Sequence, residues 1–91
     1  MNYSENFAIA SFRSRSAVQK FAAALRRRNV ACRLISTPRE VAIGCGLSVR
    51  FEPNAIAAAM QEYRAGGHGA LIGFYRVTRV GSKTTVAPIA F

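Results

Sequence analysis

The chain has no aspartate at all, and its only acids are Glu5, Glu40, Glu52 and Glu62, scattered along 91 residues. Acid–base catalysis by two paired carboxylates needs two acids held together, and this sequence gives no sign of such a pair. There is one histidine, His68, in the turn-like run Gly66-Gly67-His68-Gly69, where an exposed loop histidine is expected; this argues against a cysteine–histidine catalytic pair. Two cysteines, Cys32 and Cys45, are too few for the dense disulfide framework of a small secreted domain. With His68 they make three nitrogen or sulfur ligands, one short of a closed zinc site within one chain, so neither a metal nor a cofactor is expected. No apolar run approaches the length that spans a bilayer, and residues 1–6 lack the apolar centre of a signal peptide. The expectation is a cytoplasmic protein with free thiols and no membrane association.

What is present is arginine. Thirteen Lys and Arg, eleven of them Arg, against four acids give a net charge of +9, a balance that favours acidic partners without choosing among them. Hydrophobic residues make up 51% of the chain, enough for one globular domain over residues 1–91 with its core at about 7–79.

Residues 6–12 (Asn-Phe-Ala-Ile-Ala-Ser-Phe) read as a strand covered on both faces. Ser16 and Gln19 fit a capping box, and Val18, Phe21, Ala22 and Leu25 then share a helical face, predicting a helix over 17–28 that stops at Asn29. Arg26, Arg27 and Arg28 in its last turn suit the negative end of the helix dipole. Residues 30–36 form a second strand, with Cys32 and Leu34 on one face and Arg33 on the other; Cys32 is expected to be buried and inert. Thr37, Pro38 and Glu40 fit the cap, first and third positions of a short helix over 38–43. Residues 47–51 make a third strand, with Leu47, Val49 and Phe51 inward and Ser48 and Arg50 outward. Glu52-Pro53 opens a second helix that buries Ile56, Ala59, Met60 and Tyr63 and ends at Gly66-Gly67. Residues 70–78 are a fourth strand, and residues 80–91 are left open between a tail and an extra edge strand.

The order strand, helix, strand, strand, helix, strand predicts an α+β domain of ferredoxin-like βαββαβ type, a four-stranded antiparallel sheet with two helices on one face. That fold hosts many unrelated functions and settles none.

Chemistry, if the chain performs any, concentrates at Gly44-Cys45-Gly46. A structural cysteine normally sits inside an apolar pattern, whereas Cys45 sits at a joint where glycine on either side permits positive φ. The uncovered N–H groups of Gly44 and Gly46 suit an anion-binding nest. Arg39 and Arg50 bracket the loop with positive charge that favours an ionised thiolate, the form that acts as nucleophile or carrier. From spacing alone, a structural role, with Cys45 merely small enough to tuck into a turn, stands level with the functional one.

Thr37-Pro38-Arg39-Glu40, then Cys45-Gly46-Leu47, then Arg50-Phe51, with a closing strand ending in Tyr75-Arg76, resemble a small bacterial family described as selenium/sulfur (Se/S) carrier protein-like. The likeness covers about residues 7–79. Ala42-Ile43-Gly44 departs from the polar residues expected before the cysteine, and residues beyond 79 have no counterpart in the pattern. The resemblance implies a thiol carrier rather than a stand-alone enzyme. Cys45 would accept sulfur or selenium as a persulfide or selenosulfide beside Gly46, on a loop shaped by Thr37, Pro38 and Arg39. It also implies a donor such as a cysteine desulfurase and an acceptor enzyme that the sequence does not name, with Arg39 and Arg50 serving docking as well as charge.

Two further readings remain. The strand order and charge suit an RNA-binding or other nucleic-acid-binding module, but that needs stacking aromatics on outward strand positions, and Ser48 and Arg50 stand there instead. The other is a non-catalytic interaction or regulatory domain, a homo-oligomer included, pairing through the apolar strand Ala70-Leu71-Ile72-Gly73-Phe74-Tyr75.

Overall fold

Residues 7–12 are all buried, which requires cover on both faces of their strand because successive side chains point to opposite sides. The computed structural model describes residues 4–41 and 43–90. In chain order the elements are β1 (Ser4–Phe12), α1 (Arg15–Arg27), β2 (Cys32–Ser36), β3 (Leu47–Phe51), a single 3-10 turn (Pro53–Ala55) leading into α2 (Ile56–Ala65), β4 (Leu71–Val80) and β5 (Lys83–Ile89). One antiparallel sheet runs β2-β3-β1-β4-β5.

The α+β class with two helices is therefore as expected, but the sheet has five strands rather than four. The added strand is the segment left open above. A two-residue turn, Gly81-Ser82, folds β5 back on β4 from Val80↔Lys83 to Phe74↔Ile89. β4 consequently lies between β1 and β5, but β5 pairs it only from Phe74 to Val80, so among the described residues the apolar segment read as a pairing strand keeps an edge without a β5 partner at residues 71–73.

Both helices cover one face. Ala8, Ala10, Phe12, Val49, Phe51 and Phe74 from the sheet meet Val18, Phe21, Ala22 and Leu25 of α1 and Ala59 and Met60 of α2. The helical spacing found in the sequence is what places those residues together. Ser14, not Ser16, caps α1: its Oγ accepts from the Ala17 amide at 3.2 Å. The reason lies outside the helix. Arg13 N–H donates to Ala70 O at 2.8 Å, so the chain is still tied to the sheet region one residue before the cap, and the helix begins as soon as it is released. At the far end Asn29 takes φ 61°, as its capping role requires.

The second face is closed by the loop 37–46. Phe7, Ile9 and Val77 pack with Val41, and Ile35, Tyr75 and Val86 border them. The short helix expected over 38–43 does not form. Val41 N–H reaches Pro38 O at 2.9 Å in one turn and the chain then bends; Ala42 lies outside the described residues. Val41 is buried against Phe7 and Ile9, and that apolar burial, rather than the capping signal, accounts for the path of the loop. Ser48, expected outward, is fully buried because outward here means under that loop.

His68 is also corrected, since its side chain is 3% exposed. Its Nε2–H donates to Glu62 Oε2 at 2.7 Å, Arg28 Nε–H donates to Glu62 Oε1 at 2.7 Å, and the imidazole meets the Phe21 ring edge to face at 5.0 Å. A Cβ on Gly66 would overlap both the Glu62 carboxylate and the His68 ring; that glycine is a space left for the pair. The hydrogen bond from His68, and after it that from Arg28, hold the Glu62 carboxyl below the usual carboxylate range. A lowered folded-state value contributes stability that is complete above the unfolded value and lost as pH falls through the folded one. Stability measured by denaturant should therefore drop as pH falls below about 4.3, and Glu62→Gln should flatten that slope. An unchanged acid slope in the variant would contradict the assignment.

Candidate functional site

Three hydroxyls fix the root of the cysteine loop. Ser11 Oγ on β1 and Ser48 Oγ on β3 lie 2.7 Å apart, and Thr37 Oγ1 lies 2.7 Å from Ser48 Oγ. They form a chain of hydrogen bonds from the sheet to the first residue of the loop. Backbone bonds hold the other end, with Thr37 N–H to Gly46 O at 2.9 Å and Cys45 N–H to Phe12 O at 3.3 Å. Thr37 is thus an anchor rather than a helix cap, and Pro38 is buried beside it.

Gly44 has φ 113°, and a Cβ there would stand 3.0 Å from Phe12 O and 2.6 Å from the end of the Ile72 side chain. Both the dihedral and the approach to β1 call for glycine. Gly46 has φ 86° and open space around it. The triplet is therefore a tight crossing over the end of β1, with its central N–H donating to Phe12 O.

Cys45 rides on this crossing. It is half-buried, packs against the helix-side core, and its Sγ–H points to Leu47 O at 3.7 Å. Cys32 is also half-buried; its Sγ–H points to Ala22 O at 3.5 Å, and burial pushes its thiol up, with Arg26 pulling the other way. The two cannot bond to each other. Cys32 pairs with Phe51, whereas Cys45 lies beyond the Ser36↔Leu47 pair, four residues further along β2. That is about 13 Å of strand, against the roughly 7 Å limit between bridged Cα atoms.

The arginines expected beside Cys45 are placed elsewhere. Arg50 Nη2 donates to Glu5 Oε2 at 3.1 Å and its guanidinium lies 3.8 Å over the Phe7 ring, on the sheet face opposite the helices. Arg39 lines a cleft with Arg79, Ser82 and Thr84 near the β4–β5 turn. The Cys45–Phe12 backbone bond brings the loop to the end of β1, where Arg13 follows Phe12 in the chain and Arg13 and Arg15 flank the Ser14 cap. This junction was not identified from sequence because the Cys45–Phe12 contact joins segments 33 residues apart and follows no local pattern. The face on which an RNA-recognition sheet would stack bases is filled here by Val41 and by Arg50 on Phe7.

Fold and site together define an α+β domain that displays a cysteine on a clamped loop. Residues 7–69 match the family described as "Putative Se/S carrier protein-like", and the chain belongs to that family. The match takes in β1 to α2 and the whole cysteine loop; β4 and β5 lie beyond it. No curated protein and no solved structure matches the chain. Among the described residues, no helix is long and apolar enough to cross a membrane, and no three His, Cys, Asp or Glu side chains group as metal ligands.

Proposed function

We propose that this protein carries sulfur or selenium on Cys45, on a scaffold that we read as a ferredoxin-like βαββαβ unit with a fifth strand appended. Membership of the family supports a donor or acceptor partner. The observation that carries the reading is the placement of Cys45: partly exposed, on a loop pinned at Thr37, Gly46 and Phe12, with its thiol directed at Leu47 O across a long 3.7 Å contact.

The transfer is redox-neutral. The Cys45 thiolate attacks the terminal sulfur of a donor persulfide such as that of a cysteine desulfurase. A new S–S bond forms at Cys45, the donor's S–S bond breaks, and the donor cysteine leaves as its thiolate. Passing the sulfur on repeats the step with an acceptor thiolate. Because Cys32 is too far away to resolve the persulfide, the loaded state persists until an acceptor arrives. Gly44 and Gly46 shape the crossing, Thr37 and Pro38 hold its root, and Arg39 and Arg50 contribute to the positive surface offered to a donor.

The test is intact mass after incubation with cysteine and a cysteine desulfurase. A reducible gain of one sulfur is expected in the native chain and in Cys32→Ser, and none in Cys45→Ser. Equal loading of Cys45→Ser would overturn the assignment.

A further inference from the structure

The cleft between the loop and the β4–β5 turn shares Pro38 and Arg39 with the carrier loop but does not include Cys45. It measures about 380 Å³ and is lined by Pro38, Arg39, Glu40, Arg79, Ser82 and Thr84. Two arginines and two hydroxyl-bearing residues, from chain segments about 40 residues apart, thus border one opening. We propose that this cleft binds a single small oxyanion of the phosphate class.

The charges support that choice. Arg39 has no ion pair among the described residues, whereas Arg79 Nη1 contacts Glu5 Oε1 at 3.5 Å. Glu5 is shared, since Arg50 holds its other oxygen at the shorter distance of 3.1 Å. Arg39, Arg50 and Arg79 against Glu5 and Glu40 leave one positive charge unmatched, and a planar guanidinium fork suits a phosphate oxygen pair. Hydroxyls at Ser82 and Thr84 supply neutral donors for the remaining oxygens. Glu40 stands in the lining too. Its charge leaves the lining, Arg39 and Arg79 against Glu40, with a net charge of +1, matched to one compact oxyanion. Pro38 is buried and the Gly81-Ser82 turn is tied by the Val80↔Lys83 pair, so both walls are held by the sheet before any ligand arrives.

The free ion and the phosphate group of a small ester share this chemistry, and titration with inorganic phosphate and with glycerol phosphate separates them. Amide resonances of residues 38–40 and 82–84 should shift and saturate at millimolar concentration with one or both ligands; the stronger binder identifies the source. Losing a charged hydrogen-bonding partner should weaken binding roughly tenfold or more in Arg39→Gln, and phosphate protection against thermal unfolding should fall with it. Arg39 is exposed, so this variant leaves the core intact. Cys45→Ser should bind as the native chain does, so failure here and failure of the carrier reading remain distinguishable. Shifts spread over all the arginines, no saturation, or unchanged binding by Arg39→Gln would each overturn the proposal.

Discussion

Phe74→Ala is expected to lower the unfolding free energy by about 3–5 kcal/mol. Phe74 is 1% exposed on β4, a strand flanked on both sides, and its ring meets Phe21 of α1, Phe51 of β3 and Tyr63 of α2 at centroid distances of 6.1, 6.4 and 6.2 Å. Three elements converge on one side chain, so the space it leaves cannot close without moving a helix against the sheet. Small domains have a total stability of about 5–15 kcal/mol, so the variant should unfold at much lower denaturant and approach half-unfolding near body temperature. Denaturant titration with an unchanged m value checks this. A loss of less than about 1 kcal/mol would mean that the core under the helices is looser than these ring contacts imply.

The second large effect concerns the hydroxyl chain. Ser48→Ala removes the middle member and leaves the Ser11 and Thr37 hydroxyls without their shared partner, Ser11 being 1% exposed. Each buried hydroxyl left unsatisfied costs about 1–3 kcal/mol, so the substitution should cost about 2–4 kcal/mol although it deletes a single oxygen. Thr37→Val alone should cost less, and the two substitutions together less than their sum, because the interaction can be lost only once. Since Thr37 is the root of the loop, proteolysis within 38–44 should quicken in both variants. Strict additivity, or cleavage at the native rate, would show that the hydroxyl chain does not pin the loop.

Much of the scaffold was legible. Buried positions repeating every three to four residues gave α1 and α2, the apolar run at residues 7–12 gave a doubly covered β1, and Asn29 gave the end of α1. These signals are local, and here local pattern and tertiary burial agree. Thr37-Pro38-Arg39-Glu40 misled because it satisfies the rules of a helix cap, while the gain from laying Val41 on Phe7 and Ile9 is a long-range effect that no spacing reveals. Ser48 was misassigned for the same reason, since its outward face has a cover supplied by the loop itself. His68 was read as exposed from its glycine neighbours; one of those, Gly66, is there to admit the ring. At the candidate site the cysteine and its two glycines could be found from sequence, but its charged surroundings could not. Arg50 is bound to Glu5 and Phe7 across the sheet, while the loop meets the end of β1 through the Cys45 N–H to Phe12 O bond, a long-range contact.

Carriage on this chain requires that the clamped loop make Cys45, rather than Cys32, the thiol that another molecule can reach. Residue-resolved alkylation of the folded chain, repeated after unfolding, measures this directly. Burial pushes the Cys32 thiol up, and its Sγ–H is directed at Ala22 O, while thiolate is the reactive species. Cys45 should therefore be modified roughly tenfold faster or more in the folded protein, with the difference vanishing on unfolding. Equal rates in the folded chain, or faster modification of Cys32, would contradict the account.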